Sequence, residues 1–155
     1  MRDYHVYDLE IVDGKIKNKY FQNEISNFVA PSTKPGPKLY CVVDNEGNIH
    51  YIGQTKRSLA ARMRSGFSPK SGSGYHGYKW RHNDGLYKLI VWFMSLEDHI
   101  ETVEAEIVYL IRDRLGNWPL SQNEIHFFQS NQEQRELSEV LYENILEEKE
   151  KCKSF

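Results

Sequence analysis

Residues 39–64 read LYCVVDNEGNIHYIGQTKRSLAARMR and carry the clearest structural pattern in the chain. Two segments rich in β-branched and aromatic residues, LYCVVD and IHYIGQT, flank Asn45-Glu46-Gly47-Asn48, a composition typical of a β-hairpin. Ser58 then precedes LAARMR, so we expect a short helix capped by the serine, with its apolar side chains on one face and Arg62 pointing elsewhere. The pattern therefore predicts a hairpin that leads directly into a helix.

The length of the hairpin loop determines whether its two tyrosines meet. If residues 45–48 form a four-residue loop, the facing pairs are Asp44 with Ile49, Val42 with Tyr51 and Tyr40 with Gly53. Tyr40 and Tyr51 then lie on one sheet face as diagonal neighbours, about 7–8 Å apart at their Cα atoms. A three-residue loop ending at Gly47 would change the register and separate them. The alternative is that both tyrosines are simply good strand formers.

Strand and helix patterns continue on both sides of this stretch. Upstream, YDLEIVDGKIKNKYF predicts a hairpin around Asp13-Gly14. Downstream, LYKLIVWFM is typical of a buried strand, and Ser95-Leu96-Glu97-Asp98 has the form of a capping box that starts a helix running to about Leu115. A last helix is predicted over residues 131–151, where leucines and an isoleucine form a stripe. The expected fold is α+β, a small antiparallel or mixed sheet flanked by helices.

Length and composition indicate one compact domain over residues 1–155. No apolar run approaches the roughly 20 residues that cross a bilayer, and the start MRDYHVYDLE lacks a signal-peptide pattern, so we expect a cytoplasmic protein without a membrane partner. Cys41 and Cys152 match no metal-ligand spacing, and neither a disulfide nor a zinc site is expected.

Charge is distributed unevenly along the chain. The net charge is −2, but residues 54–93 sum to +7 and residues 94–155 to −8. A basic middle suits a polyanion such as nucleic acid, because each phosphate contact releases condensed counterions. The alternative is a solvated basic face that pairs with the acidic tail.

The helix predicted after residue 95 offers several glutamates, and its periodicity singles out one. At about 100° per residue, its apolar residues form one arc, and Glu104 falls inside that arc whereas Glu106 falls outside. A carboxylate directed into an apolar face is costly unless a cation or hydrogen-bond donors meet it. We therefore expect Glu104 to be a metal ligand, with a structural salt bridge, for example to Arg62, as the competing explanation.

Together these elements resemble the GIY-YIG endonuclease family. The resemblance rests on residues 39–64, on the glutamate-bearing helix and on WPLSQNEIHF. Tyr51-Ile52-Gly53 matches the family's second motif, whereas Lys38-Leu39-Tyr40 stands where Gly-Ile-Tyr is usual. The resemblance implies a nuclease core over residues 38–127, extended by an N-terminal hairpin over residues 1–37 and a C-terminal helix over residues 128–155.

The resemblance also implies an activity and a set of roles. The activity is hydrolysis of DNA phosphodiester bonds with one divalent metal, Mg²⁺ or Mn²⁺. Tyr40 would be the general base, directly or through a neighbour, and Arg62 would neutralise charge on the phosphate. Glu104 would hold the metal, a hard cation suited to oxygen ligands. Tyr51 would orient the phosphate or the water, and Asn123 would support the hydrogen-bond network of the site.

One departure from the family concerns a histidine or lysine that many members carry shortly after the arginine. Here Arg62 is followed by MRSGF, and the next histidine is His76. The YHGYKW segment could bring His76 or Tyr75 into that role by folding back, or His76 could be an exposed loop residue. Five basic residues of this region are predicted to contact phosphates and position a strand: Arg57, Arg64, Lys70, Lys79 and Arg81.

Functions from different classes remain open. An active metal-dependent endonuclease requires Tyr40, Tyr51, Arg62 and Glu104 to converge on one pocket. A nuclease-like module that binds nucleic acid without cleaving it is suggested by the altered first motif and the missing histidine. A protein-interaction domain that uses the acidic C-terminal helix would be favoured if the basic stretch were buried against that tail. Members of the family usually gain target choice from attached domains or from dimerisation, so a homodimer is one assembly that the resemblance allows.

Overall fold

The computed structural model describes residues 3–72, 74–122 and 125–152 of the chain. Its strands are β1 (Tyr4–Val12), β2 (Lys15–Phe21), β3 (Glu24–Ile25), β4 (Lys38–Asp44), β5 (Ile49–Thr55) and β6 (Gly85–Phe93). Its α-helices are α1 (Leu59–Phe67), α2 (Ile100–Leu115) and α3 (Gln132–Cys152), and single 3₁₀ turns cover Lys79–His82 and Leu96–Asp98. None of the helices in the described ranges is long and apolar enough to cross a membrane.

All six strands form one antiparallel sheet in the order β3-β2-β1-β6-β4-β5. The predicted α+β class is confirmed. The N-terminal hairpin, expected as an extension of the core, continues the same sheet because β1 pairs with β6. Strand β6 lies between β1 and β4, which explains why its sequence is apolar on both faces. Strand β5 forms one edge of the sheet.

The sheet separates two cores. Because side chains alternate along a strand, Leu39 and Cys41 of β4 face the helices α2 and α3, whereas Tyr40 and Val42 face α1. On the α1 side, the buried rings of the segment before β6 complete the packing, and Trp80 is fully buried there. A tyrosine on β4 is therefore held between the sheet and the short helix that carries Arg62.

Several local predictions are confirmed. The chain turns at Asp13-Gly14 between β1 and β2, with φ positive at both residues as a type I′ hairpin loop requires. The hydroxyl of Ser58 accepts a hydrogen bond from the Ala61 amide (3.3 Å) and caps α1. Gly116 ends α2 in the left-handed conformation.

The predicted start of α2 was wrong by one turn. The capping box is formed, since the Ser95 amide donates to the Asp98 carboxylate (2.7 Å), but it closes only the 3₁₀ turn Leu96–Asp98. His99 then adopts a left-handed conformation (φ 52°) that interrupts the helical backbone. Helix α2 begins at Ile100.

The turn of the second hairpin also differs from the prediction. The Gly47 amide donates to the Asp44 carbonyl (3.0 Å) and the Asp44 amide to the Asn48 carbonyl (2.9 Å), so the loop has three residues rather than four. Ile49 consequently pairs with Val43 and not with Asp44. A loop of this length, followed by regular pairing, would separate the two tyrosines.

A β-bulge restores the register that the short loop disturbs. His50 is the extra residue, because the pairing shifts between Val43 and Val42. Beyond the bulge, Val42 pairs with Tyr51 and Tyr40 with Gly53, as predicted. Tyr40 and Tyr51 are therefore diagonal neighbours on the α1 face of the sheet.

Candidate active site

Three tyrosines form the centre of the site. The rings of Tyr40 on β4 and Tyr51 on β5 lie 5.9 Å apart between centroids, and the ring of Tyr78 lies 5.5 Å from that of Tyr51. The hydroxyls of Tyr40 and Tyr78 share a hydrogen bond of 2.8 Å. Tyr78 comes from the loop before β6, so no spacing in the sequence places it beside the hairpin.

The close contact of two tyrosine rings with Gly53 explains why a glycine ends the YIG motif. A Cβ atom built on Gly53 would lie 2.4 Å from the Tyr40 ring and 2.6 Å from the Tyr51 ring, distances that real Cβ atoms essentially never show. Gly66 of α1 plays the same part for Tyr78, whose ring lies 1.9 Å from a Cβ built there. The packing of Tyr40 and Tyr51 on Gly53, and of Tyr78 on Gly66, therefore requires a residue without a side chain at both positions.

Arg62 of α1 lies over this aromatic cluster. Its guanidinium is 4.9 Å from the centroid of the Tyr78 ring and donates a hydrogen bond to the Tyr75 hydroxyl (3.3 Å). Burial alone would lower the pKa of Arg62, but the neighbouring tyrosine oxygens more than offset this and raise it. The site thus holds a permanent cation that is half-buried against π-electron faces.

Glu104 belongs to α2, which packs on the opposite face of the sheet from α1. It projects from α2 toward the edge strand β5, where burial raises its pKa to about 7. The Gln54 side chain and the Arg62 charge oppose that rise, and the Arg62 and Glu104 charges act in opposite senses on the pKa of Tyr51. In the described part of the chain no ion pair joins Glu104 to Arg62, so the predicted structural salt bridge is not formed.

Glu104 lines a cleft of about 220 Å³ beside β5. The other residues that form the cleft come from β5, α2 and the segment after α2: Gln54, Glu101, Ala105, Val108, Gln122, His126 and Phe128. Of the predicted catalytic residues that the structure describes, only Glu104 lines this cleft, and Tyr40, Tyr51 and Arg62 belong to the cluster on the α1 face of the sheet. The charges of Arg62 and Glu104 both act on Tyr51, so the two groups of residues are neighbours at the β5 edge.

Gln122 holds that edge and was missed by the sequence reasoning. Its side-chain amide donates to the Ile52 carbonyl (3.1 Å), and its side-chain oxygen accepts from the Ile52 amide (3.0 Å), as a paired strand would. The Leu120 and Ser121 amides donate to the carbonyls of Ile49 and His50. Asn123, which was predicted to support this network, lies outside the described residues. Nothing in the sequence distinguishes Gln122 from its neighbour Asn123 as the residue that pairs with the strand edge.

The remaining predicted positions are spread around the cluster. His76 is exposed, and Tyr75 of the same loop contacts Arg62 instead. The side chains of Arg57, Arg64, Lys70 and Lys79 are exposed. Arg81 is half-buried and donates to the Phe67 carbonyl (3.2 Å), a contact that fixes the loop against α1.

The basic stretch is not buried against the acidic tail as a whole. Lys88 does contact the tail, through Glu148 of α3 (3.4 Å). Lys56, just before α1, reaches Glu101 of α2 (3.8 Å), but both side chains are exposed. The basic side chains of Arg57, Arg64 and Lys79 are exposed as well. Within the described ranges, the burial that would favour a protein-interaction domain is therefore limited to the Lys88 contact.

The surroundings of Tyr40 limit how it could act as a base. Its side chain is fully buried, and burial raises the pKa of its hydroxyl well above the ordinary value of 10.0, with Arg62 opposing the rise. Burial raises the pKa of Tyr78 as well. At neutral pH both hydroxyls hold their protons, and water reaches them only through a neighbour such as Tyr51, which is half-buried.

The oxygen atoms near Glu104 fit one kind of metal site. Among the described residues there is no group of three or more His, Cys, Asp or Glu that could hold a metal ion. Mg²⁺ does not need such a cage, because it keeps several waters and binds through one or two carboxylates and the substrate phosphate. Glu104 and Glu101 line the same cleft with the Gln54 amide, so this donor set fits a hydrated, hard cation.

No family model, curated protein or solved structure matches the chain. The resemblance to the GIY-YIG family therefore stays a prediction carried by the residues of the two motifs and the helix.

Proposed function

We propose that the protein is a divalent-metal-dependent DNA endonuclease that hydrolyses phosphodiester bonds. The observation that carries the proposal is that Tyr51 of β5 lies within reach of two opposite charges, Arg62 of α1 and Glu104 of α2, and that Glu104 also lines an open cleft. A hydroxyl, a permanent cation and a carboxylate are the groups that phosphoryl transfer needs at one phosphate. A cytoplasmic location is part of the same proposal.

Each residue has a role that its surroundings support. Arg62 binds the scissile phosphate and neutralises the charge that grows on its oxygens. Tyr51, half-buried between Arg62 and Glu104, donates a hydrogen bond that orients the phosphate or the attacking water. Tyr40, which is hydrogen-bonded to Tyr78, acts through its half-buried neighbour Tyr51. Arg62 is the group that would stabilise the phenolate of Tyr40 or Tyr78.

Glu104 would hold the metal, with Glu101 as its nearest carboxylate companion in the cleft. A bound Mg²⁺ or Mn²⁺ would supply Lewis-acid stabilisation of the leaving oxygen. Ionising Glu104 is costly in its buried position, and a cation offsets that cost. Around the site, the exposed Arg57, Arg64 and Lys79 would contact flanking phosphates.

The proposal is tested by cleavage of plasmid and branched DNA with Mg²⁺ or Mn²⁺. We expect metal-dependent nicking that falls by about 100-fold or more in Glu104→Gln and in Tyr51→Phe, since each loses one group acting at the phosphate. Glu133→Gln, the same change at an exposed position of α3, is the matched control and should cleave normally. Full activity of Glu104→Gln, with its melting temperature unchanged, would contradict the proposal.

A second candidate is a nucleic-acid-binding module that does not cleave. One observation favours it: the side chain of Tyr40, the predicted general base, is fully buried. This module would bind DNA equally well with and without metal and would release no product from any substrate. Binding without cleavage in the same assays would select it.

A further inference from the structure

The cleft at Glu104 is lined in part by two aromatic side chains from the segment after α2. They are His126 and Phe128, with ring centroids 6.1 Å apart and planes inclined by 39°. Phe128 is 48% exposed although its side chain is large and apolar. We call these two residues the aromatic wall.

Exposed aromatic side chains beside a polar cleft offer a flat surface on which another ring can stack. The aromatic wall shares its cleft with Glu104, so whatever covers the wall also lies next to the carboxylate. The occupant is therefore part of the molecule on which the site acts.

The charges of the site determine which part of a nucleic acid can enter the cleft. Glu101 and Glu104 both line it, so in the absence of a metal the cleft disfavours a phosphate. Arg62 does not line the cleft, but its charge acts on Glu104, so it offers the phosphate a position outside the cleft and near that carboxylate. A strand that passes over Glu104 would thus leave its phosphate at Arg62 and direct an uncharged group, the base, into the cleft.

The size and surface of the cleft suit a single base. Its volume of about 220 Å³ is below the roughly 300–1,000 Å³ of pockets for drug-sized ligands, so it has room for a ring system rather than a larger ligand. Stacking on an aromatic side chain tolerates every base, because each base has a π face.

We propose that the aromatic wall of His126 and Phe128 stacks one unpaired nucleobase next to the phosphate held at Arg62. The substrate class is then DNA with an unpaired nucleotide at the cleavage position, such as a single strand, a flap or a loop. Continuous duplex is a poorer substrate because its base must first be unpaired and leave the stack. This inference rests on the proposed nuclease function and narrows its substrate.

The test is binding of fluorescent single-stranded, flap and fully paired DNA in EDTA, followed by cleavage of the same DNAs with Mg²⁺. We expect Phe128→Ala to weaken binding of the single strand and the flap by about 10-fold and to leave duplex binding unchanged. Phe128→Tyr keeps a ring and should bind normally. The matched control is Phe127→Ala, which removes an 81% exposed ring that does not line the cleft.

The outcomes separate this inference from the nuclease proposal. Binding of single strands that depends on Phe128, without cleavage in any metal, would support the aromatic wall and overturn the nuclease. Cleavage that is unaffected by Phe128→Ala would support the nuclease and overturn the aromatic wall. An equal loss for single strand and duplex would also overturn the wall. So would a concentration-dependent mass that Phe128→Ala reduces, because the exposed ring would then belong to an interface between protein copies.

Discussion

Gly53 is the residue on which the arrangement of the two hairpin tyrosines depends most directly. Its backbone lies beneath both rings, and a methyl group there would meet the Tyr40 ring at 2.4 Å. We expect Gly53→Ala to lower the free energy of unfolding by about 2–3 kcal/mol, because neither buried ring can move without displacing its neighbours. Denaturant unfolding measures the loss, and near-UV circular dichroism reports the displaced tyrosines.

The control for Gly53→Ala is Gly72→Ala in the loop before β6. Gly72 has open space around its Cα but a φ of +80°, so alanine there costs only the left-handed strain of about 1 kcal/mol. Equal losses in the two variants would mean that the hairpin backbone gives way and that the ring contacts do not require glycine.

Single residues were predictable where one element positions them. The diagonal contact of Tyr40 with Tyr51 follows from strand pairing, and the buried position of Glu104 follows from the period of one helix. The role of Tyr78 could not be predicted from the sequence, because its contact with Tyr40 spans 38 residues and depends on the path of a loop. The pairing register of β4 with β5 was predicted correctly, but from a four-residue loop that the structure does not have. The loop has three residues, and the bulge at His50 compensates for the difference.

At the level of elements, the edge of strand β5 is closed by the side chain of Gln122. We expect Gln122→Met, which keeps the length of the side chain but removes its amide, to lower the free energy of unfolding by about 1–2 kcal/mol, because the Ile52 amide and carbonyl each lose a partner. Hydrogen exchange of the Ile52 amide should accelerate. This exchange measures the edge pairing directly.

Gln132→Met is the control for this edge, since Gln132 is exposed in the first turn of α3 and bonds only to Glu136 among the described contacts. It should change neither stability nor the Ile52 exchange rate. Unchanged exchange in Gln122→Met would show that another group or water pairs with Ile52. The pairing was not predictable, because an amide side chain that imitates a strand leaves no periodic pattern in the sequence.

At the scale of the whole molecule, Glu148 joins the last helix to the first strand. Buried in α3, its carboxylate accepts hydrogen bonds from the Tyr4 hydroxyl of β1 (3.1 Å) and from Lys151 (2.8 Å), and it pairs with Lys88 of β6 (3.4 Å). Burial acts to raise the pKa of Glu148, but these donors more than offset it, and the pKa lies below its ordinary value. The ionised carboxylate of Glu148 therefore stabilises the packing of α3 against β1 and β6.

The pKa shift of Glu148 sets the direction of a pH effect on stability. Because the folded-state pKa lies below that of the unfolded chain, the ionised group stabilises the fold above the unfolded pKa, and this contribution is lost as the pH falls through the folded pKa. We expect Glu148→Gln to lower the free energy of unfolding by about 2 kcal/mol near neutral pH. The difference from the unchanged protein should shrink steadily toward acid pH, whereas exposed Glu133→Gln should match the unchanged protein throughout. Denaturant titrations at a series of pH values measure both, and a Glu148→Gln deficit that stays constant into acid would show that packing rather than ionisation links the two ends of the chain.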